Sequence, residues 1–581
     1  MYFCPQIFLN MKTQIILLLL LLPTFLHAQK NDIELNKASH QINQFGDLYF
    51  TFKIHDKSEL KTLPKFISID SRIGNLVKAY IPKPKFHDLL NLHIPFEVIE
   101  KSKNKSLTMA TNISQMQNWD RYPTYDVYVE MMQQFANDYP ELTQLDTIGF
   151  SQQNRLVLAL KITDNPQIKE NEPKFFYSGQ MHGDELVGQI MMLRLIDYLL
   201  SHYNSNTQIQ NLINNIEIWI NPLSNPDGLY AGGNNSVSGS TRYFANYVDP
   251  NRNFPSSTEN HPDGESYAQE TIDMMEFANE HHFDLSANLH SGAEVVNYPW
   301  DEWDSYTKPH PDNDWWMFVA SEYASIAQNN SPSYYFTGIA DSGITEGGDW
   351  YVIYGGRQDY MNYHMHCREM TLELSNDKML DSNLLPDHWN YNYQSLIAYI
   401  TQSLFGVRGV ITDQQTGQPI EAKIEIANHD SDNSFVYSHL PAGNYHRYLS
   451  PGTYNVTYSK DGYYTQTVTV NIMSYHTLVQ DIQLVPMGTD SNPLLDKQLF
   501  NIYPNPANPN ESLFIKLNEN KPISEIEVNI YNVLGSQVKH FHKESVNHNL
   551  VKINIDELTK GMYFIHINYN HKLFNHKLII N

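Results

Sequence analysis

The stretch FYSGQMHGDE, residues 176–185, decides the fold of this chain. Its first half is apolar and typical of a buried strand, and His182 and Glu185 follow where a strand would give way to a helix, so both side chains can face one point. His290 ends a later apolar run. Two imidazoles and one carboxylate form the ligand set of zinc sites that keep an open fourth position, and such sites are catalytic. The stretch therefore predicts a strand-to-helix junction that carries a metal-dependent hydrolytic site.

An H-x-x-E pair taken alone also arises by chance in a chain with 25 histidines and 64 acidic residues. The surrounding pattern supports the metal site, because apolar strand candidates alternate with long helical stretches. The predicted strands lie at 156–162, 174–177, 216–220 and 285–289, and the predicted helices include 125–139 and 389–404. Such long connections favour an α/β domain with a mixed central sheet covered by helices.

At 581 residues the chain is too long for one hydrophobic core. Short strands separated by turn pairs after residue 404 predict two small all-β sandwich domains. The predicted division is a signal peptide (1–28), an N-terminal α+β unit with a linker at 102–114 (29–113), the catalytic domain (114–404), a β-sandwich (405–487), a linker (488–498) and a last β-domain (499–581).

Composition and charge exclude several classes. A net charge of -25 without any block of Lys and Arg argues against nucleic acid as a partner.

The N-terminus has the pattern of a signal peptide. Lys12 precedes the apolar run 15–26, and a cleavage site after Ala28 is typical of such a signal, whether the chain starts at Met1 or Met11. The alternative is an N-terminal anchor, but the run is short for a membrane span and no later segment spans a bilayer. Only Cys367 follows the signal, so no internal disulfide is expected.

Five motifs occur in one order along the chain: HGDE (182–185), NPLSNPDG (221–228), DPNRNFP (249–255), NLHSG (288–292) and TLEL (371–374). In this order they resemble the zinc metallocarboxypeptidases, specifically their N/E (regulatory) branch, over residues 118–404. The chain departs from that pattern at Asp184, where Asn is usual, at Pro250, where Leu is usual, and at Ser291, where Gly is usual.

The resemblance implies one Zn²⁺ ion held by His182, Glu185 and His290. It also implies that Glu373 is the general base and acid of the reaction, a role that suits a carboxylate able to take a proton and return it to the leaving amine. The alternative for Glu373 is a strand-end carboxylate facing solvent. Its position within the apolar run 370–374 argues against that alternative, because an unpaired buried charge is costly.

The same resemblance implies how a substrate would be held. Arg242 matches the arginine that stabilises the developing oxyanion. Asn251 and Arg252 match the pair that grips the terminal carboxylate, and Tyr351 matches the mobile tyrosine that caps the bound substrate. A guanidinium pairs with a carboxylate through two parallel hydrogen bonds. Surface roles are the alternatives for the arginines, and a packing role is the alternative for Tyr351.

Specificity is expected to depend on Asp301 and Gln358. Asp301 follows His290 by eleven residues, where the branch places the acid that binds a basic side chain, and Gln358 matches the pocket floor. An acid in a pocket pairs with Lys or Arg and rejects apolar side chains. The resemblance thus implies release of C-terminal Arg or Lys. The alternative is an acidic surface turn, since Glu302 and Asp304 are close in sequence.

The accessory regions also resemble known domains. The stretches GVRGVITD (406–413) and PGTY (451–454) make residues 407–484 similar to the transthyretin-like sandwich that follows this branch's catalytic domain. The stretches IYPNP (502–506), YNVLG (531–535) and GMYF (561–564) make the last domain similar to a type IX secretion sorting domain. That resemblance implies Sec export followed by passage to the outside through the type IX secretion machinery. The N-terminal unit, by its position, is interpreted as a pro-segment that assists folding or shields the site.

Three functional hypotheses remain open at this point. The first is a secreted zinc carboxypeptidase acting on peptide or protein C-termini. The second is a cell-wall peptidase on the same scaffold, and the third is an inactive surface-binding module. His364 and His366 alternate in a strand-like run and are interpreted as structural, as is Cys367.

Overall fold

The computed structural model describes residues 32–101, 105–487, 499–509, 511–518, 523–546, 549–569 and 572–581. The predicted signal peptide and the linker at 488–498 lie outside these ranges. The chain divides into two compact units, the first running through residue 461 and including 465–484, the second comprising 462–464 and 485–581.

The N-terminal unit is a four-stranded antiparallel sheet with two helices. Its elements are helix α1 (32–45), strands β1 (Asp47–Lys53), β2 (Ser68–Ile73) and β3 (Leu76–Pro82), helix α2 (Phe86–Asn91), strand β4 (Phe96–Val98), and 3₁₀ turns at Lys57–Thr62 and Lys83–Lys85. The strand order is β2-β3-β1-β4. The sequence predicts strands at 49–54, 76–81 and 96–99 and a helix at 86–90, which β1, β3, β4 and α2 confirm, whereas it does not predict α1 and β2.

Strand β2 carries an irregularity that matters for the site. Its pairing with β3 shifts register between Ile69 and Ser71, so Asp70 is the extra residue of a β-bulge. A bulge bends the strand locally and re-aims the side chain at that position. The Asp70 side chain is thereby directed away from the sheet's hydrophobic core, which includes Phe50 and Val77.

Residues 102–104 of the linker predicted at 102–114 lie outside the described residues, and residues 105–114 are not a free linker. From residue 105 the chain already packs on the catalytic domain, because strand β5 (Met109–Ala110) pairs in parallel with β6 (Tyr122–Pro123). The Ser106 amide donates to Asp381 at 2.7 Å. The prediction of an exposed linker was wrong here, because a polar composition concealed Leu107 and Met109, which pack against the core.

The catalytic domain has an eight-stranded mixed sheet covered by helices, which confirms the predicted fold class. Its further strands are β7 (Thr143–Phe150), β8 (Leu156–Ile162), β9 (Lys174–Gly179), β10 (Glu217–Asn221), β11 (Leu285–His290), β12 (Ala293–Tyr298), β13 (Ile344–Glu346) and β14 (Arg368–Ser375). Its helices are α3 (Tyr125–Asp138), α4 (Val187–His202), α5 (Thr207–Ile213), α6 (Pro226–Leu229), α7 (Gln269–His281), α8 (Asn313–Asn329), α9 (Gly347–Trp350), α10 (Arg357–Tyr363) and α11 (Leu385–Gln402), with 3₁₀ turns at Ile113–Met116 and Ser382–Leu384.

The strand order is β13-β12-β14-β11-β9-β10-β8-β7, and β9, β11 and β14 are parallel neighbours at its centre. These central strands are buried almost throughout, as expected for strands with both faces covered. Because parallel strands end at the same edge of a sheet, residues that follow β9 and β11 meet residues near the end of β14.

The next domain, residues 406–484, is an all-β sandwich of two sheets. Its strands are β15 (Gly406–Asp413), β16 (Lys423–Ile426), β17 (Val436–Tyr437), β18 (Asn444–Arg447), β19 (Gly452–Ser459), β20 (Gln466–Ile472), β21 (Thr477–Val479) and β22 (Ile482–Leu484). Short strands with tight turns predict an antiparallel sandwich here, and this part of the prediction is wrong, since β15 pairs in parallel with β21 and β22. The reason is that the chain crosses between the sheets before returning to β15.

A buried ion network joins this sandwich to the catalytic domain. Asp312, which is 3% exposed, accepts hydrogen bonds from Arg447 at 2.8 and 2.9 Å and from Arg368 at 3.0 Å. His429 Nε2 lies 2.8 Å from Asp312, and Arg447 also binds Asp430. Two guanidinium groups therefore depend on one buried catalytic-domain carboxylate.

The second compact unit is also a β-sandwich, as predicted. Its strands are β23 (Phe500–Tyr503), β24 (Ser512–Leu517), β25 (Ile523–Asn532), β26 (Gln537–Val546), β27 (Leu550–Asn554), β28 (Gly561–Tyr569) and β29 (Lys572–Ile580). They form sheets of order β23-β24-β27 and β26-β25-β28-β29 around an aliphatic core. Across the described ranges, every helix is too short or too polar to cross a bilayer.

We expect Asp312→Ala to destabilise the first compact unit by about 3–5 kcal/mol, because the change leaves two buried guanidinium groups without their shared partner. Asp314→Ala, which removes an exposed carboxylate two residues away, should change stability by less than about 0.5 kcal/mol. Urea unfolding of both variants followed by tryptophan fluorescence measures the difference. Equal midpoints for the two variants would contradict the assigned role of the network.

Candidate active site

The strand ends bring the predicted ligands and Glu373 together. His182 and Glu185 lie in the turn between β9 and α4, and His290 is the last residue of β11. Glu373 lies near the end of β14, directly opposite His290 in the parallel pairing of these strands. Residues far apart in sequence thus share the carboxyl edge of the sheet, where α/β folds place their sites.

The three predicted ligands converge on one point. His182 Nδ1 lies 2.9 Å from Glu185 Oε1, His290 Nδ1 lies 2.8 Å from Glu185 Oε2, and the two Nδ1 atoms are 3.1 Å apart. All three side chains are 2–3% exposed. Ligand atoms at about 2.0–2.1 Å from a tetrahedral zinc ion stand only slightly farther apart than this.

The neighbouring groups also suit a metal. His182 Nε2 lies 3.2 Å from Asp249 Oδ1, so a proton on Nε2 is held by the carboxylate and the Nδ1 lone pair is free for a cation. Two other groups of His and acidic side chains in the described ranges could hold a metal, but neither is fully buried, and one of them is the Asp312 network with its two arginines. The donor set of His182, Glu185 and His290 fits zinc.

The turn that carries His182 is fixed by the NPDG motif. A Cβ on Gly183 would lie 2.1 Å from the carbonyl carbon of Gly228, so only glycine allows this close backbone contact. Asn225 accepts a hydrogen bond from the Gly228 amide and donates to the Tyr243 carbonyl at 3.2 Å. The motif thereby connects the metal-binding turn to the loop that carries Arg242.

Asp249 organises the loop on the other side of the site. Its carboxylate accepts from Arg242 Nε at 2.8 Å and from the Asn251 amide at 2.9 Å, in addition to its contact with His182. Burial alone would raise the pKa of Asp249, but the adjacent Arg242 guanidinium and His182 outweigh burial and hold that pKa well below its usual range. Asp249 is the first residue of the DPNRNFP motif, but the sequence alone does not predict its role.

Glu373 is half-buried, and its Oε2 atom is buried without a hydrogen-bond partner. Burial and then the negative charge of Glu185 raise the pKa of the Glu373 carboxyl well above its usual value. A bound cation would oppose that rise. The solvent-facing alternative for this residue does not fit its position, and an unpartnered carboxylate oxygen beside a metal site is free to hold a proton.

Arg242, Arg252, Asn251 and Tyr351 surround the same cleft. Arg242 is fully buried and Nη1 lies 3.6 Å from Glu185, which removes the surface alternative. Asn251 accepts from the Arg357 amide at 2.9 Å. Arg252 and Tyr351 both make hydrogen bonds to backbone carbonyls of strand β2 in the N-terminal unit, at Ile69 and Asp70.

Asp301 and Gln358 belong to one buried, hydrogen-bonded cluster. Asn297 and Gln358 each donate an amide hydrogen to Asp301 Oδ1 at 3.0 Å. The amide oxygens of Asn297 and Gln358 are buried without hydrogen-bond partners, so the cluster contains unused acceptors. Burial raises the pKa of Asp301 to about 6. A Cβ at Gly347 would lie 1.8 Å from Asp301 Oδ1, so glycine leaves room for the carboxylate.

Sequence reasoning missed several residues in the cleft. Lys378 donates to Glu185 Oε1 at 2.6 Å and to the Ser291 carbonyl at 2.9 Å. Lys378 closely follows the TLEL motif in the sequence, and this position could have suggested that it contacts the site. Asp70 and Lys101 come from the N-terminal unit, and no motif marks them.

The two histidines near β14 do not lie in a strand, so that part of their interpretation was wrong. His364 ends α10 and contacts the Ser256 carbonyl, while His366 has a positive φ of 57° and contacts Asn433. The backbone leaves the extended conformation at His366, two positions before β14, and the sequence pattern did not reveal this. Cys367 is a free, buried thiol, as predicted.

Comparison with known families gives three matches along the chain. Residues 128–395 match the zinc carboxypeptidase family, and residues 406–485 match the carboxypeptidase regulatory-like domain. Residues 501–581 match the secretion system C-terminal sorting domain, which marks the chain for type IX export and confirms the localisation expected from sequence.

Individual relatives agree with these matches. Human carboxypeptidase D is 35% identical over 387 residues, which cover 64% of this chain but only 27% of that longer protein. The carboxypeptidase N catalytic chain of Mus musculus is 33% identical over 398 residues, covering 63% of this chain and 86% of that protein. The solved carboxypeptidase A from Helicoverpa armigera covers 62% of this chain and 98% of its own, with a TM-score of 0.47 and 16% identity. By the identity and coverage of the carboxypeptidase N relative, and by the motifs gathered at the sheet edge, the chain belongs to the zinc carboxypeptidase family.

Proposed function

We propose that this protein is a secreted zinc-dependent exopeptidase that hydrolyses the C-terminal peptide bond of peptides or proteins and releases Arg or Lys. The observation that carries the proposal is the meeting of His182, Glu185 and His290 with Glu373 at one sheet edge. Zinc, when bound there, polarises the scissile carbonyl and activates water.

Glu373 has the position and protonation behaviour of a general base and acid. Its unpartnered Oε2 accepts a proton from the attacking water and returns it to the departing amine. Arg242 is a fixed cation 3.6 Å from the ligand carboxylate of Glu185, and it stabilises the negative charge that develops on the carbonyl oxygen. Asp249 keeps Arg242 and His182 in place.

The exopeptidase character depends on a clamp for a free C-terminus. Asn251 donates its amide hydrogen to Asp249, which contacts His182, and the guanidinium of the next residue, Arg252, presents donors that match a carboxylate bidentately. Tyr351 closes over the terminal residue. Asp301 Oδ2 and Asn251 Oδ1 lie 3.5 and 3.6 Å from the position that a Cβ on Gly356 would take. A basic side chain that reached this point would meet a carboxylate and an amide acceptor.

The two alternative hypotheses fit less well. An inactive binding module has no need for a complete ligand set with a nearby unpartnered carboxylate, and this chain has both. A cell-wall peptidase on the same scaffold shares the ligands, but a pocket rich in acceptors favours peptides that end in a cation. The sorting domain agrees with substrates outside the cell.

We expect the purified chain to hold about one zinc ion, and His290→Ala to lose it, because two ligands hold zinc much more weakly than three. His87→Ala, in which an exposed histidine of α2 is removed, should keep the metal. Metal content after dialysis, measured by mass spectrometry, tests this. Full zinc retention in His290→Ala would contradict the assigned ligand set.

Glu373→Gln should reduce kcat for a peptide ending in Arg by about 10²- to 10⁴-fold, because the amide cannot transfer the proton. Zinc content and KM should change little, since Glu373 is not a ligand. Steady-state kinetics with a metal assay on the same sample separates these effects. A kcat within twofold of the wild type would exclude Glu373 as the base.

The preference for basic residues should depend on pH. Burial raises the pKa of Asp301 to about 6, so below that pH the neutral carboxyl does not attract a cation, and above it the ionised carboxylate does. We therefore expect the ratio of kcat/KM for Arg-ending over Leu-ending peptides to rise between pH 5 and pH 7, each value being about one unit from the pKa.

Asp301→Asn should remove that pH dependence and lower the ratio at pH 7 by roughly 30-fold or more, as for loss of one partner of a buried charge pair. Asp314→Asn, with the same loss of charge at an exposed site, serves as the control. A ratio that is unchanged in Asp301→Asn would place the specificity pocket elsewhere.

A further inference from the structure

Three buried carboxyl groups lie close together at the proposed specificity site. Asp301, Glu302 and Asp359 are each 4% exposed. Among the described residues, none of the ion pairs includes any of the three, and the nearby guanidinium of Arg357 is already paired with Glu369 at 2.8 Å. A buried acid is costly unless it accepts hydrogen bonds or meets a cation. The donors that surround each carboxyl group therefore indicate its role.

Asp359 receives its hydrogen bonds from the backbone of the other two residues. It lies in the first turn of helix α10, where its Oδ1 atom accepts from the Asp301 amide at 2.9 Å and its Oδ2 atom accepts from the Glu302 amide at 2.8 Å. Two consecutive amides held by one carboxyl group fix the backbone at the point where the Asp301 side chain leaves it. The proposed function gives Asp359 no role.

The side chain of Asp301 is held through one of its two oxygens. Its Oδ1 atom accepts from Asn297 and Gln358, and a Cβ on Gly347 would lie 1.8 Å from it, so this oxygen is enclosed. Its Oδ2 atom takes part in none of the hydrogen bonds of the described residues, and it lies 3.5 Å from the position of a Cβ on Gly356. Oδ2 is therefore the oxygen left for the cation of a substrate.

Helix α10 is itself attached to the rest of the active site. The Arg357 guanidinium binds the Glu369 carboxylate at 2.8 and 3.0 Å, and Glu369 belongs to β14, the strand that carries Glu373. The Arg357 amide also donates to Asn251, a residue of the proposed clamp, at 2.9 Å. The turn that holds the Asp301 backbone therefore has a fixed position relative to both the proposed base and the proposed clamp.

We propose that Asp359 is the positioning residue of the specificity acid. By holding the amides of residues 301 and 302, it directs Asp301 Oδ2 toward the side chain of the substrate's last residue. The inference rests on the proposed function for the role of Asp301 and adds the residue on which that role depends. Asp359 does not touch the substrate, but a shift of about 1 Å in a binding group is enough to lose most of its effect.

Asp359→Asn in the full chain tests the assignment, because the amide keeps the shape of the side chain but turns an NH₂ group toward a backbone N–H. The ratio of kcat/KM for Arg-ending over Leu-ending peptides at pH 7 should fall by about tenfold or more, as for loss of a hydrogen bond to a charged group. Turnover of the Leu-ending peptide and the zinc content should change much less.

The matched control for this variant is Asp413→Asn in the sandwich domain. Asp413 is 8% exposed and accepts two backbone amides, at 2.8 and 2.7 Å, so it makes the same kind of contact away from the active site. Asp413→Asn should leave the ratio at the wild-type value.

A second variant displaces Asp301 without altering Asp359, so the test stands even if Asp359→Asn does not fold. Gly347→Ala puts a methyl group where it would lie 1.8 Å from Asp301 Oδ1, so the carboxylate has to move. Gly338→Ala, where a Cβ meets no atom within 4 Å, is its control. We expect Gly347→Ala to lower the ratio by a similar factor and Gly338→Ala to leave it unchanged.

A double variant tests whether Asp359 acts through Asp301. In a chain that already carries Asp301→Asn, adding Asp359→Asn should lower the ratio no further, because the group that Asp359 positions is already lost. Calorimetric titration of the same proteins with L-arginine and L-leucine gives a measure of binding that does not depend on turnover. Asp359→Asn should weaken binding of L-arginine by about tenfold or more and binding of L-leucine much less.

The outcomes separate the two proposals. A lower ratio in Asp359→Asn and Gly347→Ala, with weaker binding of L-arginine, would support the positioning role. Equal losses for both peptides, a further loss in the double variant, or an unchanged ratio in Gly347→Ala would overturn it. A wild type that hydrolyses no peptide, but whose binding of L-arginine is lost in Asp359→Asn, would contradict the exopeptidase and support the positioning role. A wild type that neither hydrolyses peptides nor binds L-arginine would overturn both.

Discussion

The Asp249 carboxylate is the interaction on which the rest of the site depends. One oxygen faces His182 Nε2, the other accepts from Arg242, and the Asn251 amide donates to the same group. His182, Arg242 and Asn251, to which the proposed function assigns metal binding, stabilisation of the developing charge and the carboxylate clamp, therefore share one anion. Because the carboxylate is 6% exposed and paired with a guanidinium, it stays ionised and keeps all three in fixed positions.

Much of this arrangement could be predicted from local sequence. The apolar runs ending at Gly179 and His290 are long enough and bounded sharply enough to give the strands that place the ligands, and their boundaries in the structure differ from the predicted ones by two residues or fewer. Neighbouring parallel strands end at the same edge of a sheet, so the meeting of ligands that follow two such strands can be predicted from the strands alone. Glu373 could be selected because a charge within an apolar strand requires a reason.

What could not be predicted depends on contacts between distant segments. Strand β2 was missed because polar residues surround its short apolar stretch, and the bulge at Asp70 arises only from pairing with β3. Lys101 looks like any linker lysine in the sequence, yet it is almost completely buried between two carboxylates. Conversely, Leu107 and Met109 made a polar stretch part of the core. In each case contacts between distant segments override the local composition. A single sequence shows the local composition but not those contacts.

The contact between the N-terminal unit and the cleft combines charged and apolar groups. Lys101 pairs with Asp184 at 3.3 Å, while the side chains of Tyr49 and Tyr80 pack with Tyr243 in one buried cluster. Buried ion pairs recover little net free energy beyond the cost of removing the charges from water. The aromatic packing therefore contributes the hydrophobic part of the contact's stability, and the ion pair fixes the geometry in which the N-terminal unit meets the cleft.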